Sequence, residues 1–152
     1  MKKLQSLNLP DYSSLIRINS ENGTVFDSFR KKSVKLTPEE WVRQNFLLYL
    51  TNEKDYPVGL LSVEMGLTLN NLSRRCDIVA FDNLGKPRVI VECKAATVKI
   101  TQKTFDQIAA YNLKLQVDYL IVTNGLNHYC CKMNYSDNSY EFLQEIPNYN
   151  EL

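Results

Sequence analysis

The chain has 152 residues, 18 Lys and Arg against 17 Asp and Glu, a formal net charge of +1, and is 44% hydrophobic and 23% charged. These are ordinary globular values for a chain that buries roughly two thirds of its unfolded surface, so one domain over residues 1–152 is expected; near-zero net charge is no evidence for a nucleic-acid partner, and any such signal rests on local basic clusters. No apolar run approaches the roughly 18 residues of a membrane span, and MKKLQSLNLPDYSS lacks a signal-peptide core, so a cytoplasmic protein without membrane contact is expected.

In chain order, SLIRINSENGTVFDSF reads as a hairpin: Leu15, Ile16 and Ile18 precede a turn at Asn19–Gly23, and Val25 and Phe26 follow. LTPEEWVRQNFLLYLTNE predicts a helix from Pro38 to Asn52. Thr37 is its N-cap, Pro38 its first residue, and Thr37 with Glu40 has capping-box spacing. VGLLSVEMGLTL, CDIVAFD and RVIVECK predict three strands. TQKTFDQIAAYNLKLQ predicts a helix capped near Thr101, VDYLIVT a buried strand, and HYCCKMNY with SYEFLQEI a terminal hairpin turning at Ser136–Asn138. This order gives an α/β (α+β) fold, a mixed central sheet flanked by helices. The helix between RVIVECK and VDYLIVT implies a right-handed crossover between parallel strands. Within the chain, 1–36 is expected as a hairpin extension, 37–134 as the core, and 135–152 as a C-terminal strand and tail.

The four cysteines, Cys76, Cys93, Cys130 and Cys131, contain no C-x-x-C pair, which disfavours zinc and favours reduced, partly buried thiols. A single histidine, His128, removes mechanisms that need a histidine pair, and it has no nucleophile partner at hand.

The informative stretch is RRCDIVAFDNLGKPRVIVECKAA, from Arg74 to Ala96. If the two runs turn through Asn83–Lys86, paired residue numbers sum to 169. Asp82 then faces Pro87, Val79 faces Ile90, and Asp77 faces Glu92 with Cβ atoms about 5 Å apart. Lys94, two residues beyond Glu92, shares its face. Two carboxylates at about 5 Å repel by about 3 kcal/mol at an effective dielectric near 20. A cation must offset this: Lys94 supplies one charge, and a hard divalent ion such as Mg²⁺ supplies two while accepting carboxylate oxygens and water. Such an open site, with an ammonium beside it, suits hydrolysis of a phosphate ester. The ordinary alternative is a cross-strand charge pair, since an E-x-K triplet arises by chance about once in two proteins of this length.

The combination Glu40, Asp77, Glu92-x-Lys94 resembles the PD-(D/E)XK nuclease superfamily. LTPEEWVRQ, RRCDIVAFDNLGKPRVIVECKA, QIAAYN and YLIVTNG resemble, more narrowly, the N-terminal nuclease domain of type I restriction enzyme R subunits, over roughly Phe26 to Met133. The resemblance implies a restriction-endonuclease-like core in the order helix, three strands, helix, strand. It implies Asp77 and Glu92 as metal-binding acids, the Cys93 backbone carbonyl as a third ligand, and Lys94 as catalytic lysine. Glu40 becomes the acid of the first helix, with Glu39 as its alternative. Gln107 and Tyr111 match a Q-x-x-x-Y element, with Gln107 directed at the acids or at DNA; the alternative is a core Tyr111 and a solvated Gln107. Cys76 stands where the superfamily name expects proline.

Arg74 and Arg75 are the best candidates for DNA phosphate contact, with Lys99 and Lys103, and with Arg30, Lys31 and Lys32 as further basic residues. Glu64 reads as a supporting charge at the end of an earlier strand. The implied function is Mg²⁺-dependent DNA cleavage, Mn²⁺ serving as substitute; the alternative is an idle DNA-binding or assembly module. No G-x-x-x-x-G-K-[ST] motif occurs, so the chain reads as a freestanding domain that would depend on a partner for any motor or specificity function.

Overall fold

The computed structural model describes residues 3–152. It is an α+β fold with two sheets and two helices. The first sheet is antiparallel, β1 (Arg17–Asn19), β2 (Thr24–Asp27) and β3 (Lys32–Lys35), in the order β1-β2-β3. The expected hairpin is therefore present, but it gains a third strand. β3 reads KSVK, with one apolar residue and an exposed-to-intermediate profile, so it carries no buried alternation to announce it.

Helix α1 (Pro38–Glu53) follows, then β4 (Leu61–Leu69), β5 (Leu72–Phe81), β6 (Pro87–Cys93), α2 (Gln102–Leu115), β7 (Tyr119–Thr123), β8 (His128–Asn134) and β9 (Ser139–Leu143). The second sheet runs β4-β5-β6-β7-β8-β9, with β6 and β7 parallel across the α2 crossover and the other neighbours antiparallel. Helix, three strands, helix, strand is thus the order of the core.

Both helices start where their capping chemistry dictates. Thr37 Oγ1 accepts the Glu40 N–H at 3.0 Å, and Thr101 Oγ1 accepts the Thr104 N–H at 3.2 Å. The expected capping box on α1 is only half formed. Glu40 does not return to the Thr37 amide, which donates to the Lys35 carbonyl instead, because its carboxylate is held by arginines.

Alternation along the central strands divides the core in two. Ile78, Ala80, Val89, Val91 and Ile121 pack with Val42, Phe46, Leu47 and Leu50 of α1. Val79, Ile90, Leu120 and Val122 pack with Phe105, Ala109 and Leu115 of α2. The helices therefore cover opposite faces. Adjacent Cys130 and Cys131 fall one into each layer, both buried and unpaired. His128 is a strand residue: Nδ1 lies 2.6 Å from Thr123 Oγ1 and Nε2 lies 2.9 Å from the Asn8 carbonyl.

The β5–β6 register follows the expected sum at Ile78↔Val91, Val79↔Ile90 and Ala80↔Val89, then slips, so that Phe81 rather than Asp82 faces Pro87. The slip has a local cause. Asp82 Oδ1 accepts the amides of Leu84 and Lys86, and Gly85 takes φ +80°, so Asp82 joins the turn and Arg88 is left out of the ladder. Pro87 tolerates the first position of its strand, where no ladder donor is required.

Candidate active site

The functional side chains gather where β5 parts from β6. The β5–β6 ladder begins at Ile78↔Val91, while β5 continues beyond it, paired with β4 as far as Leu72↔Leu69. Asp77 and Glu92 occupy the crotch of this fork and are 9% and 7% exposed. Asp77 Oδ2 accepts the Cys93 backbone N–H at 2.8 Å, an amide that has no ladder partner on the β5 side. That bond fixes Asp77 beside the peptide preceding Lys94.

On the other side of Asp77 the β4–β5 ladder skips one position, between Val63↔Ile78 and Met65↔Cys76. The residue skipped on β4 is Glu64, at φ +53°. A non-glycine residue in the left-handed region marks a deliberate local break. Glu64 is thus within a strand rather than at its end as expected. Continuing the two registers sets Glu64 opposite Asp77 and Asp77 opposite Glu92, at positions where neither ladder pairs them.

Arg43 of α1, absent from the sequence-based site, organises this row. It is 5% exposed. Its Nη2 lies 2.7 Å from Asp77 Oδ1, 2.7 Å from Glu64 Oε1 and 3.0 Å from Glu39 Oε1, and its Nη1 lies 2.7 Å from Glu40 Oε1. Burial opposes the Arg43 charge, but the hydrogen bond to Asp77 and the charges of Asp77, Glu40 and Glu64 outweigh it and raise its pKa. The signal in the sequence was the spacing of Glu40 and Glu39, three and four residues before Arg43.

Glu40 turns toward the first sheet. Its Oε1 also receives Arg30 Nη2 at 2.6 Å, and Arg30 Nε pairs with the fully buried Asp27. Arg30 is therefore structurally engaged and not an open phosphate contact. Glu39 lies nearer the fork: burial raises its pKa and the Asp77 charge adds to this, while Arg43 and Lys94 oppose. Both first-helix acids left open by the sequence bond Arg43, which also holds Asp77.

Glu92 is reached from the α2 face. Arg74 Nη2 bonds Glu92 Oε1, and the Arg74 guanidinium lies 5.0 Å from the Tyr111 ring centre, a cation–π contact. Tyr111 Oη donates to the Ser73 carbonyl at 2.9 Å, tying α2 to the residue before Arg74. The site therefore straddles the margin of the sheet, with an arginine from each face, rather than lying on one face. Burial pushes the Glu92 pKa well above the usual carboxylate range. Arg74 opposes this, Asp77 reinforces it through charge and a hydrogen bond, and Lys94 opposes weakly.

Lys94 follows β6 directly. Its amide donates to the Thr123 carbonyl at 2.8 Å, and Asn124 Nδ2 donates to Val98 at 2.9 Å, so the end of β7 holds the Lys94 loop on both sides. Its ammonium is within electrostatic reach of Glu39 and Glu92. Among the described residues it makes no direct ion pair, unlike Arg43 and Arg74. Gln107 and Lys103 are exposed on α2, and Lys99 is exposed in the segment before it; Arg75 pairs with Glu64 at 2.8 Å while its side chain stays 71% exposed.

Among the described residues no three His, Cys, Asp or Glu side chains converge as a metal cage. Asp77 and Glu92 are two hard oxygen donors at the sheet margin, where burial opposes the ionisation of Glu92. That donor chemistry fits a Mg²⁺-type ion completed by a backbone oxygen, water and substrate.

Residues 38–147 match the family described as Type I restriction enzyme R protein N terminus (HSDR_N). No curated protein matches the chain. Among solved structures, a fragment assigned as an HsdR subunit of a type I restriction enzyme from Vibrio vulnificus YJ016 superposes with a TM-score of 0.54 and 18% identity, over 77% of this chain and 24% of that one. At that identity the likeness is one of fold. No helix among the described residues is long and apolar enough to cross a membrane.

Proposed function

Since the chain belongs to the family of type I restriction enzyme R protein N-terminal domains, we propose that it is a metal-dependent deoxyribonuclease domain hydrolysing DNA phosphodiester bonds. The observation that carries the reading is the fork itself: Asp77 is anchored on the Cys93 amide, the peptide that follows Glu92, both acids are buried, and Lys94 stands two residues beyond Glu92. Asp77, Glu92 and the Cys93 carbonyl would hold Mg²⁺, or Mn²⁺ in its place. The ion would supply Lewis-acid polarisation of the phosphodiester.

The chain's own groups do the rest. The Cys93 amide orients Asp77, Glu92 would offer its carboxylate beside it, and Lys94, with no ion pair among the described residues, would place an ammonium against charge growing on the phosphoryl oxygens. Arg75, Lys99 and Lys103, all exposed, would track the phosphate backbone, joined by the exposed Gln107 and by Tyr111, which lies beside Arg74. The structural relative is about four times longer than the matched region, since only 24% of it is covered, so motor or specificity functions would come from other parts of such an assembly.

One observation favours a second reading. Each site acid already has an arginine, Arg43 on Asp77 and Arg74 on Glu92, which is how an idle DNA-binding or assembly module would keep the fold. A Mn²⁺ titration followed by plasmid cleavage separates the two. Cleavage that requires the ion and is lost in Asp77→Asn supports the nuclease. DNA binding without cleavage at any Mg²⁺ or Mn²⁺ concentration supports the module.

A further inference from the structure

We propose that Arg43 is a positioning residue that sets how tightly the Asp77–Glu92 site takes a divalent ion, by acting as its resident counter-cation. The inference rests on the nuclease reading and deepens it. One guanidinium touches Asp77, Glu64, Glu39 and Glu40, at 2.7 to 3.0 Å. It is 95% removed from solvent, so little water screens it. Its Nε is buried with no hydrogen-bond partner, an arrangement that neutral packing would not choose and that four converging carboxylates explain.

Two consequences oppose one another. The planar fork fixes Asp77 Oδ1 while the Cys93 amide fixes Oδ2, so the carboxylate plane is set from both ends. Pre-set geometry favours the reaction. The same positive charge also repels an incoming ion. Charges a few ångströms apart at an effective dielectric of about 20 shift an equilibrium by more than tenfold. Arg43 thus trades affinity for orientation. The site therefore fills only at high ion concentration.

The test uses the whole chain and Mn²⁺ as probe. Calorimetric titration of wild type, Arg43→Met and Arg43→Lys is paired with single-turnover cleavage at saturating Mn²⁺. Arg43→Met should bind Mn²⁺ at least tenfold more tightly and cleave at least tenfold more slowly. Arg43→Lys keeps the charge but replaces the fork with a compact ammonium. It should bind Mn²⁺ within about threefold of wild type, the margin of a 0.7 kcal/mol change, and still cleave more slowly. Should Arg43→Met not fold, Arg43→Lys decides alone: wild-type cleavage by its folded fraction overturns the positioning role. Mn²⁺ binding by Arg43→Met that is unchanged or weaker overturns the counter-cation role while leaving the nuclease reading intact. Absence of Mn²⁺ binding by wild type itself overturns both.

Discussion

Replacing Glu92 by glutamine should flatten the pH dependence of stability in the metal-free protein. Burial raises the Glu92 pKa above its ordinary 4.5 in the folded state, with Asp77 reinforcing the effect. Between those two values the native state holds a proton that the unfolded state has lost. Stability therefore falls as pH rises through that window, by up to about 1.4 kcal/mol per pH unit from this one group. The contribution is fully present below the unfolded pKa and is gone above the folded one. Glutamine does not titrate, so its slope should lack this component. Glu92→Gln also leaves Arg74 without its acid, but that guanidinium stays charged throughout and offsets the whole curve without changing its slope. His128, whose pKa burial lowers, acts with the opposite sign and equally in both proteins. The assay is urea denaturation in EDTA at half-unit steps from pH 4.5 to 8. Parallel curves for wild type and Glu92→Gln would refute the assignment of a strained, buried glutamate at the fork.

The remaining predictions follow from single contacts. Like-charge repulsion alone would make Asp77→Asn stabilising, but the Arg43 contact reverses the sign: losing this partner should cost about 3 kcal/mol in urea melts without metal. Thr37→Ala removes the cap on the Glu40 amide and should cost about 1 kcal/mol by the same measurement. Gly125 takes φ +84°, and an added Cβ would lie 2.7 Å from Leu7 Cδ2 and 3.2 Å from Val42 Cγ2. Gly125→Ala should therefore lose about 1–2 kcal/mol in thermal or chemical unfolding.

Much of the architecture was legible because it rests on local chemistry. Thr37–Pro38 and Thr101 announce both helices, and apolar runs at Ile78–Ala80 and Val89–Val91 fix the register of the strands that carry the acids. The register failed only at the turn, where Asp82 side-chain bonds and Gly85 remove a residue from the ladder. β3 was not legible, since an edge strand reading KSVK has no apolar pattern.

At the site, Asp77, Glu92 and Lys94 could be paired by counting along a hairpin, and the structure does bring the two acids together. What counting could not reach was long-range. Arg43 meets Glu64 and Asp77 from another element, and Glu64 enters only because a positive φ breaks its strand. The ion pair of Arg30 with Glu40, ten residues apart and from different elements, was equally out of reach of counting.

The central claim is that Lys94 serves the transition state beside an ion held by Asp77 and Glu92. Single-turnover cleavage of linear and circular DNA by wild type and Lys94→Ala, in Mg²⁺ and in Mn²⁺ with folding checked by circular dichroism, tests it most directly. Lys94 makes no ion pair among the described residues, so its loss should leave folding and DNA binding in place while the rate falls about 10²–10³-fold. Lys94→Arg should not restore it, because a broad guanidinium cannot stand in for a compact ammonium. Equal cleavage by wild type and Lys94→Ala would contradict the account.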